Sequence, residues 1–268
     1  MELAISTCYD YRVPIEQSIE HIGMAGFRLI SLGGREDHSR FQKDPGRSRL
    51  AEIVAKAGLK IDTIHAPYDP TADLTQPEDV LRHSALIEMR RCIAACKELG
   101  TSTLIMHLNF FRPTDISERL KRIKESMAEI LEYAHSNGVK IAAENLPDDN
   151  SLIILKYALD IFDDEYLGLC FDSGHAALHQ NAMELLDKYR NRLYALHLHD
   201  NDGKSDLHQL PFEGIDDLPN LAAQLNKGES ICPITIESKV THSGYKTPEA
   251  FLAHAYEDGN RFREMLKT

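Results

Sequence analysis

Short apolar runs recur along this chain, each followed by a longer stretch with helical spacing, and that alternation constrains the fold most. The runs are LAIST (3–7), FRLISL (27–32), KIDTIH (60–65), STLIMH (102–107), VKIAAE (139–144), LGLCFD (167–172), LYALHLH (193–199) and CPITIE (232–237). Between them lie segments such as 78–100 and 115–138, rich in helix formers and closed by Gly100 and Gly138, a residue that ends helices by accepting left-handed backbone. Pro14, Pro45, Pro77, Pro113, Pro147 and Pro248 are expected in connections. Strands alternating with helices build a parallel sheet through right-handed crossovers. Eight such units without a composition break predict an α/β fold, a closed (β/α)8 barrel forming a single domain over 1–268. An open, doubly wound sheet is the competing arrangement. It calls for a glycine-rich phosphate loop after the first strand, and STCYDYRVP has no glycine.

The polar residues fall at the ends of these runs. The third run ends in His65, the fourth in His107 and the fifth in Glu144. The sixth ends in Asp172 with His175 three residues on, the seventh in His199 and the eighth in Glu237. A parallel barrel opens all its carboxyl ends on one face, so residues far apart in sequence converge there. One polar strand end is ordinary solvation; six in succession, all of types that bind divalent metals, point to a shared site. Mixed imidazole and carboxylate donors suit Zn, Mn, Co or Mg, and open coordination is the catalytic pattern.

The motifs HAPY, MH, AENLP, FDSGHA, HDNDGKSDLH…EGID and IES, in that order, resemble the xylose-isomerase-like TIM-barrel superfamily. That superfamily contains metal-dependent sugar isomerases and epimerases as well as the abasic-site nuclease endonuclease IV. The epimerase branch implies one divalent ion held by Glu144, Asp172, His199 and Glu237, with Glu144 and Glu237 as the acid–base pair. The nuclease branch implies three zinc ions and adds His65, His107, His175, Asp206 and His208. The family segment His-x-Asn-Asp-x-Lys is met by His199, Asn201, Asp202 and Lys204, which favours His199 as the ligand and leaves His197 as a packed, buried imidazole. Tyr68, Asn145, Lys204 and Lys239 are the expected substrate contacts, and Asp200 and Asp202 are expected to shape the turn.

The chain departs from the nuclease pattern. Where that branch has Tyr-Leu to enter DNA, Tyr68 is followed by Asp69, and a carboxylate is a poor wedge between bases. The second loop carries Arg35, Arg40 and Phe41, which leaves polyanion binding open, and the family's Gly-Glu-Gly turn reads Phe212-Glu213-Gly214. A formal charge of −12 weighs against a nucleic-acid surface. The implied function is therefore a metal-dependent sugar or sugar-phosphate isomerase or epimerase, with an endonuclease IV-like phosphodiesterase as alternative. The expected partner is a small sugar or sugar phosphate, with nucleic acid under the alternative alone and no membrane; a homo-oligomer stays open. HSGY (242–245) offers a weak phosphate loop. Arg90, Arg91, the basic residues of RLKRIK (119–124) and His83, His135 and His254 read as solvated helix faces. Five cysteines without a CxxC pair and no leader-like segment suggest a reduced, cytoplasmic protein.

Overall fold

In the computed structural model, which describes residues 1–110, 115–179, 182–228 and 232–266, eight strands pair in chain order and the last closes on the first. They are β1 (Leu3–Ser6), β2 (Leu29–Leu32), β3 (Lys60–His65), β4 (Thr103–Met106), β5 (Lys140–Glu144), β6 (Leu167–Asp172), β7 (Leu193–Leu198) and β8 (Ile234–Ile236). Every pairing is parallel, and closure runs through Ala4 opposite Thr235. The helices are α1 (Ile15–Ala25), α2 (Gly46–Lys56), α3 (Asp79–Leu99), α4 (Ile116–Asn137), α5 (Asp149–Ile161), α6 (Ser173–Leu178), α7 (Met183–Tyr189), α8 (Leu218–Leu225) and α9 (Pro248–Met265). The expected (β/α)8 TIM barrel is therefore the observed fold. One connection is more divided than expected: the segment from β6 to β7 carries both α6 and α7.

Period-two alternation sorts each strand into two faces. Ile5, Ile30, Ile64, Leu104, Ile141, Phe171, Leu196 and Ile236 join the helices in the main core. Truncating such a side chain to alanine costs about 2–5 kcal/mol. The opposite parity turns into the barrel, where Ile105, Ala142, Cys170 and Ala195 form a small separate cluster and Thr63 Oγ1 donates to Ser31 Oγ at 2.7 Å. Continuing that parity toward the carboxyl ends brings His65, His107, Glu144, Asp172, His197 and Glu237 onto one face.

Gly100 and Gly138 end α3 and α4 with φ of 76° and 68°, as the pattern required. Pro14, Pro45, Pro77 and Pro147 lie in connections, Pro248 is the first residue of α9, and Pro113 lies outside the described residues. Arg119 departs from its expected solvated face. It is buried, with Nη1 donating to Thr75 Oγ1 at 2.9 Å and lying 3.6 Å from Asp73 Oδ2, because a guanidinium can be buried when its donors are met. His83, His135 and His254 are exposed. All five cysteines are free and buried. Among the described residues, no helix is long and apolar enough to cross a membrane.

Candidate metal centre

Four donors meet at the carboxyl end of the barrel. Glu144 ends β5, Asp172 ends β6, His197 lies on β7 and Glu237 follows β8 by one residue. One donor atom of each lies within 4.8 Å of the others, and all four residues are buried. His197 Nδ1 sits 3.0 Å from Glu144 Oε1, 3.1 Å from Glu237 Oε2 and 3.7 Å from Asp172 Oδ2.

Two further groups flank this one. Toward β3 and β4, Glu144 Oε2 lies 2.9 Å from His65 Nε2 and 3.2 Å from His107 Nε2. On the other side, His175, His199, Asp206 and His208 bring one donor atom each within the same 4.8 Å limit. There Asp206 Oδ2 is 3.1 Å from His208 Nε2 and 3.3 Å from His175 Nε2, and the His199 and His208 rings stack at 4.2 Å.

The local chain explains why these side chains are aimed inward. Asp172 also caps α6, with Oδ1 accepting from the His175 amide at 2.7 Å. Ser173 Oγ donates to the His199 carbonyl at 3.0 Å, and Asn201 Nδ2 donates to the Gly174 carbonyl at 2.9 Å. Gly174 leaves room for the His199 ring, since a Cβ there would come 2.0 Å from His199 Cε1. Asp200 Oδ1 accepts from the Asn201 and Asp216 amides, and Oδ2 from that of Phe212. Asp202 Oδ1 accepts from the Lys204 and Ser205 amides, so both aspartates shape the turn as expected. The Phe212-Glu213-Gly214 turn keeps a glycine-like backbone: Phe212 has φ of 73°, and its ring lies 3.8 Å under the Arg261 guanidinium.

The donor set fits a divalent cation. Buried carboxylates need paired charge, and among the described residues no Lys or Arg comes within 4.0 Å of Glu144, Asp172, Asp206 or Glu237; imidazoles alone do. The histidines are oriented through their second nitrogen. Nδ1 of His65, His175 and His208 lies 2.6, 2.9 and 2.8 Å from the carbonyls of Ala66, Asn145 and Glu237, which frees each Nε2 for a ligand. Burial pushes Glu144 up, but the imidazoles of His197 and His107 outweigh it and hold the carboxyl well below its usual range. Glu237 behaves likewise: burial raises it, and His197 more than reverses that. Burial would lower His175, yet Asp172, Asp206 and Glu144 raise it to about 10. Charged carboxylates among cationic partners are the state a metal would take over.

His197, on β7, stands in the donor group expected to hold His199, and His199, the residue after β7, falls in the neighbouring group with His175, Asp206 and His208. His197 faces the three carboxylates, while His199 stands one layer higher, with Nε2 3.0 Å from Asp172 Oδ1 and its Nδ1 buried without a partner. Register decides this. A bulge between Leu169 and Cys170 shifts the pairing with β7, so Asp172 lies opposite His197. Two expected substrate contacts are also corrected. Asn145 is 1% exposed and spends its side chain on the main chain of Asp172, donating at 3.0 Å and accepting at 2.8 Å. Lys204 is exposed and does not line the cavity above the donors, whereas Tyr68 and Lys239 do. Cys8 and Tyr11 line that cavity as well and carried no sequence signal; Cys8 Sγ lies 3.9 Å from Glu237 Oε1. In the second loop Phe41 is fully buried and Arg35 pairs with Asp37, which leaves Arg40 as the exposed, unpaired group there among the described residues. HSGY is used internally: His242 bonds the Leu207 carbonyl and Tyr245 packs on His254.

A closed parallel barrel with carboxylates and imidazoles converging on its mouth defines a class, the barrels equipped to hold divalent ions where their strands end. The family described as Xylose isomerase-like TIM barrel matches residues 19–260, and the chain belongs to it. Fructoselysine 3-epimerase of Escherichia coli O157:H7 is 25% identical over 288 positions, covering 99% of this chain and 98% of that protein. A D-tagatose 3-epimerase-like protein superposes with a TM-score of 0.85 at 22% identity, covering 100% of this chain and 98% of the other. The IOLI protein with a binding zinc atom superposes with a TM-score of 0.78 at 16% identity, covering 99% and 98%.

Proposed function

We propose that the chain is a divalent-metal-dependent isomerase or epimerase of a sugar or sugar phosphate. The observation that carries this reading is the convergence of Glu144, Asp172, His197 and Glu237, with the two glutamates 3.0 and 3.1 Å from His197 Nδ1. The relationship to fructoselysine 3-epimerase and the zinc of the IOLI protein support it. In this reading those four residues hold one ion, Mn, Zn, Co or Mg. Bound there, the ion supplies positive charge that stabilises negative charge developing on a sugar carbonyl.

The protein's own groups do the rest. One of Glu144 and Glu237 accepts the proton from the carbon next to the carbonyl, and the other delivers a proton to the opposite face. His65 and His107 on Glu144 Oε2 set the orientation of that carboxylate, and His197 Nδ1 at 3.1 Å that of Glu237, which Cys8 touches only weakly at 3.9 Å. Tyr68 and Lys239 line the cavity, Lys239 with no carboxylate within 4.0 Å among the described residues, so its ammonium is available to an anionic substituent. Five free cysteines support a reducing, cytoplasmic setting.

A second reading has its own observation. Glu144 belongs both to the group with His65 and His107 and to the group with Asp172, His197 and Glu237, and the group of His175, His199, Asp206 and His208 stands beside Asp172, an arrangement suited to three zinc ions and phosphodiester hydrolysis of abasic DNA. Against it stand Asp69 after Tyr68 and the buried Phe41. Metal analysis and isotope exchange separate the two. The first reading expects one ion per chain and solvent deuterium entering a ketose next to its carbonyl. Three zincs per chain, no exchange and cleavage of an abasic oligonucleotide would replace it with the second.

A further inference from the structure

On the side formed after β1 and β2, the cavity above the donors is lined by Cys8, Tyr11, Gly33 and Gly34. A thiol is a weak donor and the glycines bring no side chain, so the strong hydrogen-bonding group of that side is the Tyr11 hydroxyl. The surrounding chain fixes where it stands. Thr7 Oγ1 accepts from the Gly33 amide at 2.9 Å, tying the loop after β1 to the loop after β2. Gly33 leaves room for the phenol, since a Cβ there would come 3.0 Å from Tyr11 Oη. The Tyr11 ring meets His38 edge-on at 5.1 Å and carries the Arg35 guanidinium 4.6 Å from its centre. His38 is itself held, with Nε2 2.9 Å from the Val13 carbonyl.

The hydroxyl so placed is underused. Among the described residues its partner is Tyr68 Oη at 3.3 Å, long beside the about 2.7–2.8 Å usual between hydroxyls. Tyr68 comes from the loop after β3, its ring edge-on to His65 at 5.5 Å and tilted on His107 at 5.7 Å. Partial burial raises both phenols above their ordinary range, so both keep their protons and can donate. A long bond between two neutral groups contributes little and is readily exchanged for shorter ones. Two hydroxyls 3.3 Å apart can each meet one oxygen of a vicinal diol. The reacting end of a sugar faces the carboxylates, so a diol that reaches the tyrosines belongs to its tail.

We propose that Tyr11 and Tyr68 determine substrate specificity: on binding, their mutual contact opens and the two hydroxyls take a vicinal diol in the tail of a ketose, beyond the carbons that react. This rests on the sugar reading above and adds which part of the sugar is recognised.

The test is calorimetric binding to the manganese-loaded protein, which needs no turnover. The probes are D-fructose, 5-deoxy-D-fructose and dihydroxyacetone. The 5-deoxy sugar lacks the oxygen common to both vicinal pairs of the tail, and dihydroxyacetone keeps the reacting end without a tail. D-Fructose should bind about tenfold tighter than the 5-deoxy sugar, the scale of one or two net hydrogen bonds, and tighter still than dihydroxyacetone. Tyr11→Phe keeps the ring against His38 and Arg35 and should weaken D-fructose about three- to tenfold, leaving dihydroxyacetone unchanged. Tyr68→Phe should do the same, and in the double variant D-fructose should lose its advantage over the 5-deoxy sugar. D-Fructose that binds no tighter than either other probe overturns the proposal. So does a Tyr11→Phe variant that weakens all three alike, the mark of a merely structural role. Solvent deuterium entering D-fructose next to its carbonyl separates the two readings. Exchange with affinities unmoved by either variant overturns the diol assignment and leaves the epimerase reading; diol-dependent binding without exchange does the reverse.

Discussion

The two sides of the barrel mouth are built on different principles. From β5 to β8 every strand delivers a carboxylate or imidazole to the cavity, and these groups are locked by register, by the Asp172 cap and by the Asn145 clamp. From the β1 and β2 side the lining is Cys8, Tyr11, Gly33 and Gly34, with no carboxylate or imidazole. The first side is rigid and fit to hold charge; the second offers apolar surface, a thiol and an opening. The contrast separates an arc that carries the donors, extended by His65 at the end of β3 and His107 after β4, from a β1–β2 arc that contributes no carboxylate or imidazole to the lining.

That division can be broken in order of expected effect. Glu237→Gln keeps the shape and removes the proton carrier, so kcat/KM should fall by about 10²–10⁴ with the fold unchanged by circular dichroism. A variant that stays active would remove the acid–base role from this side. Next come the paired histidines. His197→Ala should weaken metal affinity by more than 100-fold in a competition titration, whereas His199→Ala, which orients Asp172, should cost about 10-fold. The reverse ranking would restore His199 as the direct ligand. Gly174→Ala drives a methyl into the His199 ring and should destabilise by about 1–3 kcal/mol in a denaturant titration. An unchanged midpoint would show that the rigid side has slack. Smallest of all, Cys8→Ala on the other side should alter kcat/KM less than about threefold, since its thiol has only a weak, 3.9 Å contact with Glu237. A hundredfold loss would mean that both halves share the chemistry.

The fold was legible because apolar runs and turn residues act locally. β3 and β6 match their expected ranges fully, and the other strands differ by one to three residues in all, chiefly at their ends. The strand-end donors were legible for the same reason, as the last inward residue of each run. What could not be read is vertical position. His197 and His199 share a parity and differ by two residues, about 6.6 Å along the strand. The pairing of β6 with β7, shifted by one residue between Leu169 and Cys170, sets His197 opposite Asp172, and nothing in LGLCFD or LYALHLH announces that shift. Asn145 and Arg119 failed for a related reason. Both are polar residues whose partners come from other segments, the Asp172 main chain for one and Thr75 and Asp73 for the other, so burial could not be seen from their own neighbours. Phe212 shows the opposite case: the sequence lost a glycine while the backbone kept its left-handed turn.

Closure of the barrel has a consequence in time. β1 finds its second neighbour in β8, nearly the full length of the chain away, and Glu237 comes one residue after that strand. During synthesis His65, His107, Glu144 and Asp172 all leave the ribosome long before the residue that completes their ring. No shorter nascent chain contains the four-donor set, and the loop closed by the last strand is among the most entropically demanding in the molecule. The four-donor group is therefore complete only once the strand that shuts the ring has been made, with α9 still to follow.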